Sequence, residues 1–591
     1  MILRKNVNLK DTWDTSVLFE ADSLWEEEYV NCEKRLAEAS GYKGKLNTAE
    51  NILSCFELRD RLSHIVHKLY VYANLRLHED NTDTKYQALS DRAAMISVKL
   101  GSAFSYVQSE ILRLDFETVK GFMALNPGLA EYKHYFDDLF REKEHILSEE
   151  MEDLLAKAHE IGEAPDEIFS MLNEADLTFG LVKDDEGNEF ELTHGKYISL
   201  MESQNIETRK HAFKTMYKSY MAHKNTLAAS FSANVKKDLF FAKARKYNSS
   251  LESALSSDNI PVSVYKNLIA AVHTALPSMH DYVALRKKRL KLDDIHMYDL
   301  YVPIVQEADN KVDFEKAKAE VLESLKPLGE EYISILGSAF KGRWIDVYEN
   351  KGKRSGAYSW GVHGAHPFVL LNYDNKVNDM FTLAHEMGHA MHSYYSWSAQ
   401  KYFFSSYTIF VAEVASTVNE ALLMEYLLDK EPAGNFKNYL LNYYIEQFRG
   451  TLFRQAMFAE FEMETHQMVQ NGIPLTSASL NEAYRALNRK YYGDGIILDE
   501  EIDYEWSRIP HFYSSFYVYK YATGYSAATA LAKKIKGESS AAGKYIEFLK
   551  SGSSDYPLNL LKKAGVDMLG KGPVLESLEV FKSLVEKMKN I

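Results

Sequence analysis

His385, Glu386 and His389 stand together as HEMGH. In an α-helix, residues four apart lie about 40° apart around the axis and about 6 Å along it, so both imidazoles can meet one tetrahedral metal ion. Zinc is the expected ion. Glu386, one step round from the first histidine, then reaches a metal-bound water rather than the metal, which is the place of a general base in a zinc hydrolase. With 19 histidines in 591 residues, chance produces such a string on the order of a few percent of the time, so it needs support from other residues.

A catalytic zinc takes three protein ligands and keeps one position open. The segment FVAEVASTVNE, residues 410–420, offers Glu413 and Glu420 seven residues apart, on one face of a helix. Glu413 is taken as the third ligand and Glu420 as the carboxylate that orients a histidine. His392 shares a helical face with His385, but three ligands from one straight helix would be strung along about 10 Å of axis. It is therefore given a supporting or surface role.

A metal-activated water that attacks a carbonyl also needs donors for the oxyanion of the tetrahedral intermediate. Residues 511–525, HFYSSFYVYKYATGY, supply His511 and tyrosines at 513, 517, 519, 521 and 525. Tyr517, Tyr521 and Tyr525 would share one face of a helix; His511 and Tyr521 are the first choices, with Tyr517 next. Substrate contacts are expected just before HEMGH, where Gly361, Gly364 and Phe368 lie in short strand-like runs. Pro367 there reads as an edge-strand marker, and an edge strand can pair with an extended peptide.

The elements that must position these groups are mostly helical. Charged and apolar residues alternate at helical spacing, for example over Leu53 to Arg76 and Thr84 to Leu114. The HEMGH segment carries helix formers on both flanks, with Asn378 or Asp379 as the expected N-cap. Two runs near residues 177–182 and 189–193 read as a strand pair joined by Lys183 to Asn188, and further short strands span 344–348, 357–361 and 367–373.

HEMGHAMH, the FVAEVASTVNE segment and HFYSSFYVYKYATGYSAA together resemble the thimet oligopeptidase family of zinc peptidases, and in particular its bacterial oligoendopeptidase F branch, over about residues 115 to 580. The resemblance implies His385, His389 and Glu413 as zinc ligands, one zinc per chain, and Glu386 as the catalytic base. It also implies a zincin-type, mostly α fold, with helical domains around a deep substrate channel and a small β-sheet beside the zinc helix. A helical domain with a hairpin over 1–200 and a catalytic domain over 201–591 follow, as does a cytoplasmic enzyme that cuts short oligopeptides.

Composition is consistent with this. At 67.7 kDa, with 46% hydrophobic residues, the chain can bury large cores. A net charge of −15 disfavours a nucleic-acid surface, and no run of apolar residues is long enough for a membrane helix. The first residues lack an apolar export segment. Cys32 and Cys55 are too few for a disulfide framework and are expected as reduced, buried thiols. Two other readings stand beside an endo-acting oligopeptidase: a zinc carboxypeptidase or dipeptidyl carboxypeptidase, and a non-catalytic peptide binder. Glu386 argues against the last, and oligomeric state leaves no signal in the sequence.

Overall fold

Ala49–Glu79 is a helix of 31 residues whose apolar stripe, Ile52, Cys55, Phe56, Leu62, Val66 and Leu69, is buried. The Thr48 hydroxyl caps it, accepting from the Asn51 amide. In this computed structural model, which describes residues 2–305 and 311–591, the helix packs along Thr84–Ala103 in an αα-hairpin. The predicted Thr84 to Leu114 helix breaks at Phe104 and Ser105 and restarts as Tyr106–Leu112. Gly101 and Ser102, both poor helix formers, precede the break. Cys32 and Cys55 are buried free thiols in the core of these helices.

The chain divides into two compact units, each assembled from three segments: Met1–Ile146, Lys311–Leu423 and Leu531–Gly565 form the first; Leu147–Asn310, Met424–Ala530 and Val566–Ile591 form the second. In the second unit, β1 (Leu181–Lys183) and β2 (Glu189–Glu191) form the predicted antiparallel hairpin. Its turn places Gly187 at φ +85°, while the Asp184 carboxylate accepts the Glu186 and Asn188 amides. Phe231 packs among Phe461, Trp506, Phe512 and Tyr513 in that unit's core.

The first unit holds a three-stranded sheet of β3 (Ile345–Asp346), β4 (Tyr358–Trp360) and β5 (Phe368–Leu370), in the order β3-β5-β4. β5 is the central strand, parallel to β3 and antiparallel to β4, which corrects the edge assigned to Pro367. Proline precedes the first paired residue, so it costs the ladder no N–H and marks the strand's start. The Val369 and Leu371 amides donate to carbonyls on the β3 side, so Phe368 and Leu370 pair with β4. By that alternation Ser359 turns its amide and carbonyl away from β5, and β4, like β3, is an edge strand. The buried ammonium of Lys353 fastens the sheet, pairing with Asp346 at 2.7 Å and donating to the Tyr348 and Leu371 carbonyls.

The HEMGH helix is Val377–Ala399, and β4 and β5 pack against it. Its N-terminus differs from expectation. Asn378 and Asp379 lie inside the helix, and Asp379 reaches back to accept the Asp374 and Lys376 amides, so it serves the orphan donors from the third position. A mostly α chain with a small sheet beside the HEMGH helix is the fold class expected from the sequence.

Candidate active site

His385 and His389 project from adjacent turns of the HEMGH helix, and Glu413 from the helix Ile409–Lys430. Their facing atoms form a triangle: His385 Nε2 to His389 Nε2 is 3.2 Å, His385 Nε2 to Glu413 Oε2 is 3.4 Å, and His389 Nε2 to Glu413 Oε2 is 3.6 Å. Three vertices of a tetrahedron around an ion bound at about 2.0 to 2.2 Å stand about 3.3 to 3.6 Å apart. These residues therefore fit a tetrahedral metal, and they are the one such group among the described residues. All three are partly exposed, which leaves the fourth direction open.

Charge favours a cation here. Burial alone would raise the Glu413 carboxyl, but hydrogen bonds to His385 and His389 hold it well below the ordinary carboxylate range. His385 is held well above its usual value against burial, through Glu413 and Glu420. Glu420 Oε1 lies 2.6 Å from His385 Nδ1. That contact holds one proton on Nδ1, so that when a metal displaces the proton on Nε2 the freed lone pair aims into the triangle. Glu413→Ala should remove most metal affinity, whereas Glu420→Ala should weaken it about 10- to 100-fold. Competition against a chelator measures both, and the reverse order would make Glu420 the ligand.

Glu386 is 7% exposed, and its Oε2 has no hydrogen-bond partner. Burial raises its carboxyl and the two histidines oppose that, which suits a group that must take up and release a proton. His392 is buried, so the surface alternative does not hold. It stacks on Tyr407 with rings 3.7 Å apart, and burial pushes its pKa down to about 3.

Two residues that sequence reasoning missed set the helix spacing. A Cβ on Gly388 would lie 2.5 Å from Ser416 Cα and 2.7 Å from the Ala415 carbonyl oxygen, so the two backbones touch. Asn419 donates to the Ala384 carbonyl at 3.1 Å and accepts from the Tyr332 hydroxyl at 3.1 Å. Gly388 against 415–416 and Ala384 against 419 fix an antiparallel register, and that register carries Glu413 and Glu420 to the histidines. A glycine inside a helical metal motif and a lone asparagine in an apolar helix face were the available signals.

The other candidates fall into two groups. Gly361 follows β4, where a Cβ would meet Trp397 of the HEMGH helix at 2.7 Å, and Gly364 takes φ +89° in the next turn. Phe368 is fully buried beside Trp13, so its side chain supports the sheet from inside and offers a peptide nothing. His511, Tyr517 and Tyr521 belong to the second unit and cluster there: the Tyr521 hydroxyl lies 3.4 Å from His511 Nε2, and the Tyr517 and Tyr521 rings are 5.4 Å apart. The helix begins only at Tyr519, so Tyr517 precedes it and the expected shared helical face is absent. Phe516, at φ +60°, interrupts the run, and its amide donates to buried Glu462 at 2.8 Å. Tyr513, Tyr519 and Tyr525 are buried against Phe169, Tyr265 and Phe448.

Comparisons with known proteins give the chain's relatives. Residues 199–580 match the model of Peptidase family M3, and residues 110–179 that of Oligopeptidase F. The chain is 46% identical over 590 residues to Oligopeptidase PepF of Bacillus subtilis (strain 168), covering 100% of this chain and 88% of that protein. It is 41% identical to Group B oligopeptidase PepB of Streptococcus agalactiae, covering 100% and 98%. The crystal structure of oligoendopeptidase-F from Enterococcus faecium superposes with a TM-score of 0.76 at 38% identity, covering 96% of this chain and 99% of that one.

Proposed function

The chain belongs to peptidase family M3 and is a metalloendopeptidase acting on oligopeptides; from that premise we propose that its metal is zinc, that its setting is the cytoplasm, and that Glu386 is its general base. The observation that carries the reading is the triangle of two imidazoles and one carboxylate with Glu386 beside it. Bound there by His385, His389 and Glu413, zinc supplies Lewis acidity to a water and to the scissile carbonyl. Glu386 takes the proton of the attacking water and returns it to the leaving amine. His511, Tyr521 and Tyr517 are proposed as oxyanion donors, supported by their clustering and by the burial of the neighbouring tyrosines. The division of the chain near residue 200 remains a proposal about sequence modules, supported by the two family models meeting between 179 and 199.

Substrate is proposed to add as a strand to the edge of β4, around Tyr358 to Trp360, with exposed Gly364 allowing close approach, while Gly361 makes room for Trp397 rather than for a peptide. Main-chain pairing accepts many sequences. Peptides of about 5 to 20 residues should be cut internally, including C-terminally amidated ones, and folded proteins left intact. Mass spectrometry of products from a graded peptide series tests this. Failure on amidated peptides would assign a carboxypeptidase instead, and efficient digestion of a long unfolded chain would remove the length limit. Tyr521→Phe should lower kcat by about 10² to 10³ with little change in KM. A change in KM alone would make Tyr521 a substrate contact.

A further inference from the structure

The second unit encloses a small cavity whose wall includes Arg449, Arg454, Glu505, Tyr197, Tyr301 and Tyr492. About 10 Å³ is open to the centre of a water-sized particle, room for one such particle. Around it, two carboxylates serve four guanidinium groups. Glu505, 1% exposed, accepts from Arg454 at 2.8 Å and from Arg508 at 3.0 Å. Glu446 accepts from Arg286 at 2.7 Å and from Arg449 at 2.7 Å. No other described carboxylate forms an ion pair with any of the four. Among the described residues the group therefore carries two more positive charges than negative ones.

Donors are also in excess. Arg449 is 6% exposed, and its Nε and one terminal nitrogen both go to Glu446, leaving the other terminal nitrogen with no acceptor among the described residues. The hydroxyls of Tyr197 and Tyr492, both on buried side chains, likewise bond to no described group, and the phenols cannot supply the missing charge because burial raises both. Arg286 and Arg449 are buried while Arg454 and Arg508 are partly exposed; unbalanced charge at buried guanidinium groups is costly, and a water molecule would satisfy hydrogen bonds but leave the charge.

We infer that this cavity binds a single chloride-sized monovalent anion, balanced by Arg449 and Arg454 and hydrogen-bonded by Tyr492 and Tyr197. The small space suits a compact monatomic ion. The site involves none of the groups assigned to peptide hydrolysis, so it stands or falls separately from them.

Crystals of the full chain grown in sodium bromide test it at the bromine absorption edge. An anomalous peak inside the cavity, in contact with Arg449 and Arg454, is the expected result. In solution, Tm should rise with bromide or chloride against gluconate at fixed ionic strength, and saturate as one-site binding. Tyr492→Phe keeps every charge and removes one donor, so it should raise the half-saturating halide concentration about tenfold; Tyr197→Phe is the second variant should the first fold poorly. Water without anomalous signal in the cavity, or equal Tm in chloride and gluconate, overturns the inference. A bromide peak that neither Tm nor the variants register would be an adventitious ion only, and overturns it as well.

Discussion

Glu386→Gln should retain its zinc and lose turnover by about 10² to 10⁴. The carboxyl lies outside the triangle of ligand atoms, so exchanging one oxygen for an amide nitrogen leaves the metal-binding set intact. What is lost is the capacity to accept a proton from water. Glu386 Oε2 already has no partner in the structure, so exchanging it for an amide nitrogen breaks no hydrogen bond, and Tm should change little. Zinc content by atomic absorption, kcat on a quenched peptide and Tm separate the three quantities. Near-normal turnover with zinc bound would end the general-base assignment; loss of zinc would show that Glu386 helps to hold the metal.

Gly388→Ala should destabilise the protein and release the metal, against the direction that helix propensity alone dictates. In an open helix the change gains about 1 kcal/mol. At Gly388 the added methyl meets Ser416 Cα at 2.5 Å and the Ala415 carbonyl at 2.7 Å, backbone atoms that cannot rotate aside. The two helices must part, at a cost of about 1 to 3 kcal/mol or more. Glu413 moves with its helix, and zinc affinity should fall by at least about 10² because ligand distances tolerate only about 0.2 Å. Gly337, in the helix Glu330–Lys341 with open space at its Cβ position, is the control: Gly337→Ala should keep or raise Tm. Equal behaviour of the two variants would mean that the helix contact does not set the metal geometry.

The metal-binding set was legible because helical periodicity is local. A spacing of four for the histidines and seven for the glutamates fixes faces whatever surrounds them, and the structure needed only to bring those faces together. Gly388 could not be read the same way, since its role exists only in the backbone of a helix 27 residues further on. Pro367 misled because proline's missing donor excludes a paired position inside a strand, yet says nothing about a residue just before one. The sequence placed Tyr517, Tyr521 and Tyr525 on one helical face, but the helix starts only at Tyr519, after the turn at Phe516, and Tyr525 is buried in the core.

The interleaving of the two units constrains how the molecule is made. A nascent chain that has reached Leu423 already carries His385, His389 and Glu413, yet it lacks Leu531–Gly565, which completes their unit. Phe548, whose ring packs 5.4 Å from that of His392, is in the missing segment. Domain-by-domain folding on the ribosome is therefore closed to this chain, because neither unit is contiguous and the metal-bearing core can close only after residue 565 has been added. The same arithmetic forbids a minimal catalytic fragment: any terminal truncation reaching Gly565 strips both units at once.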